Sequence, residues 1–358
     1  MTQPEVVQLT HIVIGSVFLI SAVLGAVMSR TDFCTMGAVS DWAGLGDATR
    51  LRAWALAAAI AIAGAQALHL AGAIDLSRSL YAGTRLLWLG HLAGGALFGV
   101  GMAYAGGCAS RALARLGAGN LKSLVVLLVL AVAAMATMRG LLAPLRVALV
   151  DASAIALPRA QSMPELLAPG APVPRAAIAA LASLALALWA LTDARLRARS
   201  ALVAGACAAG ALAVAAWAAT GILGRDDFEP APLASLTFVA PAAETMLYAM
   251  FSTGSRFTFP VATCVGMVAG AAASALAAGR FRWEGFADRA DLARHVLGAA
   301  AMGVGGVLAL GCTIGQGVAG ISTLSLGSML TIAGILAGGA LATRALAEGS
   351  WREALRLR

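Results

Sequence analysis

Gly311-Cys312-Thr313-Ile314-Gly315-Gln316-Gly317 decides the fold, because it places a cysteine among glycines where a long apolar run ends. A second copy of this arrangement lies 204 residues earlier, around Cys108. Superposing the two cysteines also pairs His295 with His91, Gly298 with Gly94, Gly303 with Gly99, Gly305 with Gly101 and Gly311 with Gly107. The sequence therefore contains one local unit twice, and each copy predicts a helix that is broken inside a membrane.

The composition is that of an integral membrane protein. Of the 358 residues, 60% are apolar and only 12% are charged, and the mean hydropathy is +0.87. Runs of about 20 apolar residues, long enough to cross roughly 30 Å of hydrocarbon as a helix, recur along the chain. These runs are continuously apolar, whereas the strands of a membrane barrel would alternate apolar and polar residues. The composition excludes an ordinary soluble domain and predicts an all-α integral membrane protein.

We predict about nine transmembrane helices together with re-entrant or broken helices. The approximate spans are 11–28, 53–74, 87–106, 123–138, 176–192, 201–223, 258–279, the run that leads to Cys312, and 324–343. The stretch 235–251 is not counted, because Pro241 and Glu244 interrupt it.

A proline-rich connection divides the chain. Six prolines lie between Arg139 and Arg175, which is unfavourable for a spanning helix. The predicted organisation is an N-terminal membrane half (1–138), an extracytoplasmic linker (139–175) and a C-terminal membrane half (176–358). Because each half holds one copy of the cysteine unit, we expect two inverted, pseudo-symmetric halves.

The formal charge of +8 comes almost entirely from arginines between the apolar runs. In a soluble protein such a surplus would suggest nucleic acid, but here the positive-inside rule explains it, so no nucleic-acid partner is expected. Placing the arginine-rich loops in the cytoplasm puts the N-terminus outside and the C-terminus inside.

Five cysteines are present: Cys34, Cys108, Cys207, Cys264 and Cys312. They form no C-x-x-C pair and no zinc-type spacing. Cys207 has no counterpart, which favours a structural role. The other four occur as two pairs in glycine-rich settings, one pair in each half. We therefore take Cys34, Cys108, Cys264 and Cys312 as candidate binding residues, supported by the helix-break positions Gly107, Gly311, Thr313 and Gln316.

Isolated thiols along a path suit a soft solute that contains sulfur, or a soft metal such as Cu(I). A metal is less favoured, since no histidine-rich loop accompanies the thiols, and we expect no metal and no cofactor. His91 and His295, together with Asp32, Asp41 and Glu244, are further candidates inside or near the membrane. Each also has a structural interpretation. The histidines would lie near helix ends, and the acids would form ion pairs with arginines such as Arg30 or Arg256.

Three motifs resemble the signatures of the YeeE/YedE membrane proteins, which include bacterial thiosulfate importers. They are Phe33-Cys34-Thr35-Met36-Gly37-Ala38-Val39-Ser40-Asp41-Trp42, then Gly106-Gly107-Cys108 with Gly117-Ala118-Gly119-Asn120-Leu121-Lys122-Ser123-Leu124-Val125, and finally Gly311 to Gly317. Two departures are Ala109, where a glycine is common, and Cys207.

The resemblance implies a bacterial inner-membrane importer that hands thiosulfate from one cysteine to the next. It assigns Cys108, Cys264 and Cys312 to the relay and Cys34 to a position near the entrance. It also implies a cytoplasmic sulfur-carrier partner of the TusA type, and no enzyme activity. The alternative is a membrane thiol–disulfide oxidoreductase, which the missing C-x-x-C pair and the absence of an evident quinone or haem site count against.

Overall fold

The computed structural model describes residues 3–31, 33–167, 172–225 and 232–350. Helices dominate these ranges, and the one sheet within them consists of two short antiparallel strands, β1 (Arg85–Leu86) and β2 (Ile155–Ala156). The predicted all-α architecture is confirmed at this level.

The N-terminal part contains six α-helices: α1 (Gln3–Arg30), α2 (Thr35–Ser40), α3 (Thr49–Leu70), α4 (Gly95–Tyr104), α5 (Ala109–Gly117) and α6 (Leu121–Arg139). The connection and the C-terminal part contribute α7 (Ala143–Arg146), α8 (Met163–Leu167), α9 (Pro172–Leu191), α10 (Ala194–Ala198), α11 (Ser200–Ala218), α12 (Val239–Met250), α13 (Phe259–Ala277), α14 (Arg289–Leu308) and α15 (Leu326–Glu348). Short 3-10 turns cover Leu76–Arg78 and Leu80–Ala82, and π-helical segments cover Asp41–Leu45, Gly90–Gly94, Val147–Asp151, Ala219–Leu223 and Gly315–Gly320.

Eight helical stretches in the described ranges are long and apolar enough to cross a membrane. They are His11–Arg30, Thr49–Leu70, Gly90–Gly117, Leu121–Arg139, Val173–Leu191, Ser200–Leu223, Phe259–Ala277 and Leu326–Glu348. The ninth predicted crossing corresponds to α14, which is not among them, so the count of nine is not confirmed. Helix α12 has 12 residues and extends about 18 Å at 1.5 Å per residue, which is too short to span.

Helices α4 and α14 cross at close range through two reciprocal glycine contacts. A Cβ atom at Gly101 would lie 2.5 Å from the Gly298 oxygen and 2.6 Å from the Met302 nitrogen. A Cβ atom at Gly305 would lie 2.6 Å from the Gly94 oxygen and 2.5 Å from the Phe98 nitrogen. The residues of the second contact are the repeat equivalents of those in the first, with the roles of α4 and α14 interchanged. Such reciprocal contacts are the pattern that a local two-fold axis produces.

The same exchange relates the next layer of helices. Gly99 of α4 packs on the backbone of α15, while Gly303 of α14 packs on the backbone of α6. Farther out, Gly25 of α1 approaches the Met267 oxygen of α13, and Gly210 of α11 approaches the Ala57 oxygen of α3. Small residues permit such close helix contacts in a bilayer, and they join the N-terminal and C-terminal helices in one core.

The proline-rich connection is more ordered than the sequence predicts. Strand β2 pairs with β1, which follows α3, so the connection is tied to the N-terminal part. Its other end is tied to the C-terminal part, because Met163 N donates to Leu324 O at 2.9 Å and Leu326 N donates to Gln161 O at 3.0 Å. Backbone hydrogen bonding therefore replaces the irregular structure expected from the prolines. The division at 139–175 stays a prediction.

Candidate functional site

The first helix break separates α4 from α5. After Tyr104 the chain turns through Gly106, whose φ of 66° is left-handed, and Gly107 N donates to Met102 O at 2.9 Å. This six-residue closure is a Schellman motif, in which glycine at the left-handed position avoids a steric penalty. Cys108 is then extended and forms the N-cap of α5.

The second break follows the same path after α14. Leu310 has a φ of 56°, and Gly311 N donates to Gly306 O at 2.8 Å. Cys312 again lies directly before a helical segment, which begins at Thr313. A leucine in the left-handed region costs roughly 1–2 kcal/mol relative to glycine, so the surrounding packing stabilises a conformation that the residue itself disfavours.

Gly107 and Gly311 are the break positions predicted from the sequence, and the structure shifts the sharp turn by one residue. The left-handed residues are Gly106 and Leu310, while the predicted glycines supply the amide that closes each turn. Gly311 itself has a φ of 159°, a region that residues with a side chain rarely adopt. Leu310 carries no sequence signal for a turn, whereas Gly106 does, because glycine adopts a positive φ without steric cost.

Both repeat cysteines are buried and have polar neighbours. Cys108 is 1% exposed, and its Sγ lies 3.2 Å from Ser110 Oγ. Cys312 is fully buried, and Gly315 N donates to its Sγ at 3.4 Å. A backbone amide at the start of a helix carries partial positive charge, so this position favours electron-rich sulfur.

The four candidate thiols lie within electrostatic range of one another in successive pairs. Cys34, the half-buried N-cap of α2, is close enough to Cys108 for the two ionised thiols to repel each other. Cys312 interacts in the same way with Cys108, and Cys264 in the second turn of α13 does so with Cys312. All of these cysteines are free, as is Cys207 on α11. The structure therefore brings together the four thiols that the sequence singles out.

Gln316 and Thr313, the two polar helix-break candidates, differ in their surroundings. Gln316 is fully buried; its Nε2 donates to Ala309 O at 2.6 Å and its Oε1 accepts from Ser328 Oγ at 2.6 Å. It therefore connects the two sides of the second break. The Thr313 hydroxyl is buried and has no hydrogen-bond partner among the described residues.

A cavity of about 300 Å³ lies beside the thiols, between α3, α9 and α15. Thr35 and Thr313, which directly follow Cys34 and Cys312, both line it. Trp54 also lines it and stacks on Phe33, with ring centroids 4.6 Å apart. The two hydroxyls and the Trp54 indole N–H are buried donors without a partner in the described part of the chain. Buried polar groups normally have a partner, so these donors can serve a solute or water.

The paired histidines have different environments. His91 is buried in the π-helical segment before α4, and its Nδ1 lies 2.8 Å from Thr331 Oγ1. His295 lies 3.1 Å from Asp291 Oδ1 on its own helix. The His91 contact reaches α15, whereas the His295 contact stays within α14.

Of the candidate acids, Glu244 lies within electrostatic range of the Cys264 thiol. Asp41 forms an ion pair with Arg50 at 3.4 Å rather than with Arg30 or Arg256. Glu244 lies on α12 and is half-buried. Asp32 falls outside the described residues.

An aromatic cluster covers the second break. Tyr81 is buried and meets the edge of Trp217, with ring centroids 6.2 Å apart and planes at 80°. Trp217 Nε1 donates to Ser322 Oγ at 3.0 Å. Tyr81 also lies within electrostatic range of Cys312, and burial raises the pKa of its phenol well above the usual value. The sequence gives no signal for this cluster, because the two aromatic residues belong to segments far apart in the chain.

No group of three or more His, Cys, Asp or Glu side chains within the described ranges could hold a metal ion.

The fold and the site define a polytopic α-helical membrane protein whose buried thiols lie at helix breaks. A family model for sulphur transport matches residues 30–341, and the chain belongs to this family, which is the YeeE/YedE family. The resemblance predicted from the cysteine motifs is confirmed. No curated protein sequence matches the chain. Membership supports a multi-pass transporter of a sulphur compound and does not favour the oxidoreductase alternative.

Proposed function

We propose that the protein imports thiosulfate across the bacterial inner membrane along the series Cys264, Cys312, Cys108 and Cys34. The observation that carries the proposal is that these four thiols, from four different parts of the chain, lie within electrostatic range of one another in successive pairs. Thiosulfate has hard sulfonate oxygens and one soft terminal sulfur. Thiols suit the soft atom, whereas buried N–H and O–H donors suit the oxygens.

The neutral surroundings of the thiols favour passage over tight binding. Thr35, Thr313 and Trp54 offer hydrogen bonds without a full charge, and Cys312 lies beside a helix-terminal amide. Conduction requires contacts that are favourable enough for entry and weak enough for release. Several such contacts in series provide successive resting positions for the anion.

We further propose that the two membrane halves are inverted repeats. The reciprocal glycine contacts support an exchange of α1 with α11, α3 with α13, α4 with α14 and α6 with α15. Helix α1 is the first candidate crossing and α11 is the sixth, so the two run in opposite directions through a bilayer. In an inverted repeat the axis lies in the membrane plane and the substrate site lies near the midplane.

With the N-terminus outside, the thiol series acquires a direction. Cys264 lies near the start of α13 on the outer side, and Cys34 follows the inner end of α1. In this order Cys34 is the last thiol before the cytoplasm, whereas the motif resemblance gives it a position near the entrance. A cytoplasmic sulfur-carrier protein of the TusA type would receive the sulfur at this inner end.

Uptake of labelled thiosulfate into reconstituted vesicles, with and without a proton gradient, tests the function. Cys108→Ser, Cys264→Ser and Cys312→Ser are each expected to stop uptake while the protein still folds, because serine cannot replace the soft contact. Cys207→Ser is the matched control and should transport normally. Undiminished uptake in all three variants would contradict the thiol series.

Counting free thiols before and after mild oxidation separates transport from the oxidoreductase alternative. An oxidoreductase would form and reopen a disulfide between two of these cysteines during turnover. A transporter retains its free thiols.

A further inference from the structure

A pocket of about 90 Å³ lies where α1, α5 and α13 end on the same side of the molecule. Four of the residues that line it are arginines: Arg30, Arg111, Arg115 and Arg280. Under the proposed orientation this is the cytoplasmic side. Ser29 and Ser274 also line the pocket and hydrogen-bond to each other at 2.9 Å.

Three of the four pocket arginines donate hydrogen bonds to neutral acceptors. Arg30 Nε donates to Ser274 Oγ at 2.8 Å. Arg111 and Arg115 each donate one bond to a backbone oxygen, of Met28 at 2.6 Å and of Gly106 at 3.1 Å. In the described part of the chain, none of the four guanidinium groups forms an ion pair with a carboxylate.

Several other basic residues near the membrane surface do form ion pairs with acids. Examples are Arg50 with Asp41, Arg52 with Asp193, Lys122 with Asp291, Arg146 with Asp151 and Arg175 with Glu165. The positive-inside rule explains why arginines lie on this side. It does not explain why four of them surround one small pocket whose described lining residues include no acid, since like charges held together repel one another.

The pocket adjoins the inner end of the thiol series. Arg111 is close enough to Cys34 to favour its ionised form electrostatically. Arg115 binds the oxygen of Gly106, the left-handed residue of the break that leads to Cys108. An anion that leaves the last thiols therefore meets these guanidinium groups first.

We propose that the four-arginine pocket binds a small tetrahedral oxyanion, namely the sulfonate end of the transported solute, before its release to the cytoplasm. This inference rests on the proposed transport function. Guanidinium groups bind such oxygens through paired, charge-assisted hydrogen bonds. Arg30, Arg115 and Arg280 are exposed to solvent, so the attraction is screened and the anion can leave. The pocket thus adds guanidinium charge at the inner end of the thiol series, beside Cys34.

Binding of labelled sulfate to the purified protein in uncharged-lipid nanodiscs tests the pocket alone, because sulfate lacks the soft sulfur. The double variant Arg30→Gln/Arg280→Gln is expected to weaken sulfate binding by about tenfold or more, from the loss of two charge-assisted contacts. The control Arg282→Gln/Arg289→Gln removes the same charge from exposed positions that do not line the pocket. It should stay within about twofold of the parent, since distant surface charges interact weakly.

Equal sulfate binding by the two double variants would overturn the proposal. So would sulfate binding that disappears when the nanodiscs contain an anionic phospholipid, because the pocket would then belong to lipid headgroups. Thiosulfate uptake separates this outcome from failure of the proposed function. If the protein transports thiosulfate but the pocket is not part of the path, the Arg30→Gln/Arg280→Gln variant transports with unchanged concentration dependence. If the protein does not transport thiosulfate, uptake is absent in every variant while sulfate binding still distinguishes the two doubles.

Discussion

Each helix break, together with its cysteine and the helical segment that follows, forms a cysteine hairpin, the first at Cys108 and the second at Cys312. The two hairpins have similar backbone conformations but different surrounding side chains. Both contain a helix end, a left-handed residue and a buried cysteine that begins the next helical segment. Superposition on the cysteines places Gly315 opposite Arg111, Gln316 opposite Ala112 and Ala319 opposite Arg115. The first hairpin therefore borders the four-arginine pocket, whereas the second has an uncharged, hydrogen-bonded interior. Duplication has preserved the break itself, and the side chains one turn later distinguish the two sides of the molecule.

The second hairpin also contains one more residue. The next left-handed residue lies 11 positions after Cys108, at Gly119, but 12 positions after Cys312, at Leu324. The π-helical segment Gly315–Gly320 accommodates the extra residue, because a π turn holds one residue more than an α turn. Such insertions are frequent at functional sites, and this one includes the amide that contacts the Cys312 sulfur.

Replacing Gln316 with the alanine of the first hairpin should cause the largest loss of stability. The change removes two hydrogen bonds of 2.6 Å and leaves the Ala309 oxygen and the Ser328 hydroxyl with poorer partners in a buried site. The expected cost is about 2–4 kcal/mol, from unpaired polar groups and the cavity left behind. Thermal melting in detergent measures it.

Ser328→Ala is the matched control, because it removes only the bond to the Gln316 side-chain oxygen. We expect about 1 kcal/mol for it. If Gln316→Ala melts at the wild-type temperature, the second hairpin does not depend on its polar interior, and the contrast with the first hairpin has no energetic basis.

Removing the Tyr81 ring should make the Cys312 thiol of the second hairpin more accessible to reagents, without changing the cysteine itself. Tyr81 packs against Trp217 beside Cys312, so Tyr81→Ala opens a gap above the thiol. In a background where the other four cysteines are serine, Cys312 is expected to react severalfold faster with a membrane-impermeant maleimide added from outside. The rate of labelling in oriented vesicles measures this.

Tyr81→Phe keeps the ring and should keep the slow rate, because its packing is nearly unchanged. A labelling rate that is equal in Tyr81→Ala and Tyr81→Phe would mean that the aromatic cluster does not close the outer side of the site.

Much of the architecture follows from the sequence. Apolar runs and arginine-rich loops predict the helices, because a bilayer leaves few other solutions for the backbone. The repeat around Cys108 and Cys312 predicts the two helix breaks, since glycine and a small thiol recur at fixed spacing. The paired, glycine-rich settings of the cysteines indicate the candidate thiols, and three of them, Cys108, Cys264 and Cys312, belong to one buried core.

The remaining parts of the site depend on contacts between distant segments. Tyr81, Trp217 and Trp54 are single aromatic residues in apolar sequence, so their neighbours at the thiols could not be predicted. Arg111 and Arg115 lie four positions apart on α5, which places them on one helix face. That spacing is a usable signal, but Arg30 and Arg280 join them only through packing of α1 and α13 against α5.

The smallest effect is expected at the left-handed residues, where the two hairpins differ by one side chain. Gly106→Ala places a Cβ atom in a left-handed conformation and should cost about 1–2 kcal/mol. The nearest atom outside the turn, Arg115 Nη1, would be 3.7 Å from this Cβ atom, so the loss comes from the backbone rather than from a clash. Leu310→Gly relieves the same strain, but it raises the conformational entropy of the unfolded chain and removes side-chain contacts. The free energy of unfolding should therefore change by no more than about 1 kcal/mol. Gly285→Ala, in open space and without a positive φ, is the control for glycine replacement. Equal losses in Gly106→Ala and Gly285→Ala would show that the left-handed turn does not set the stability of the first break.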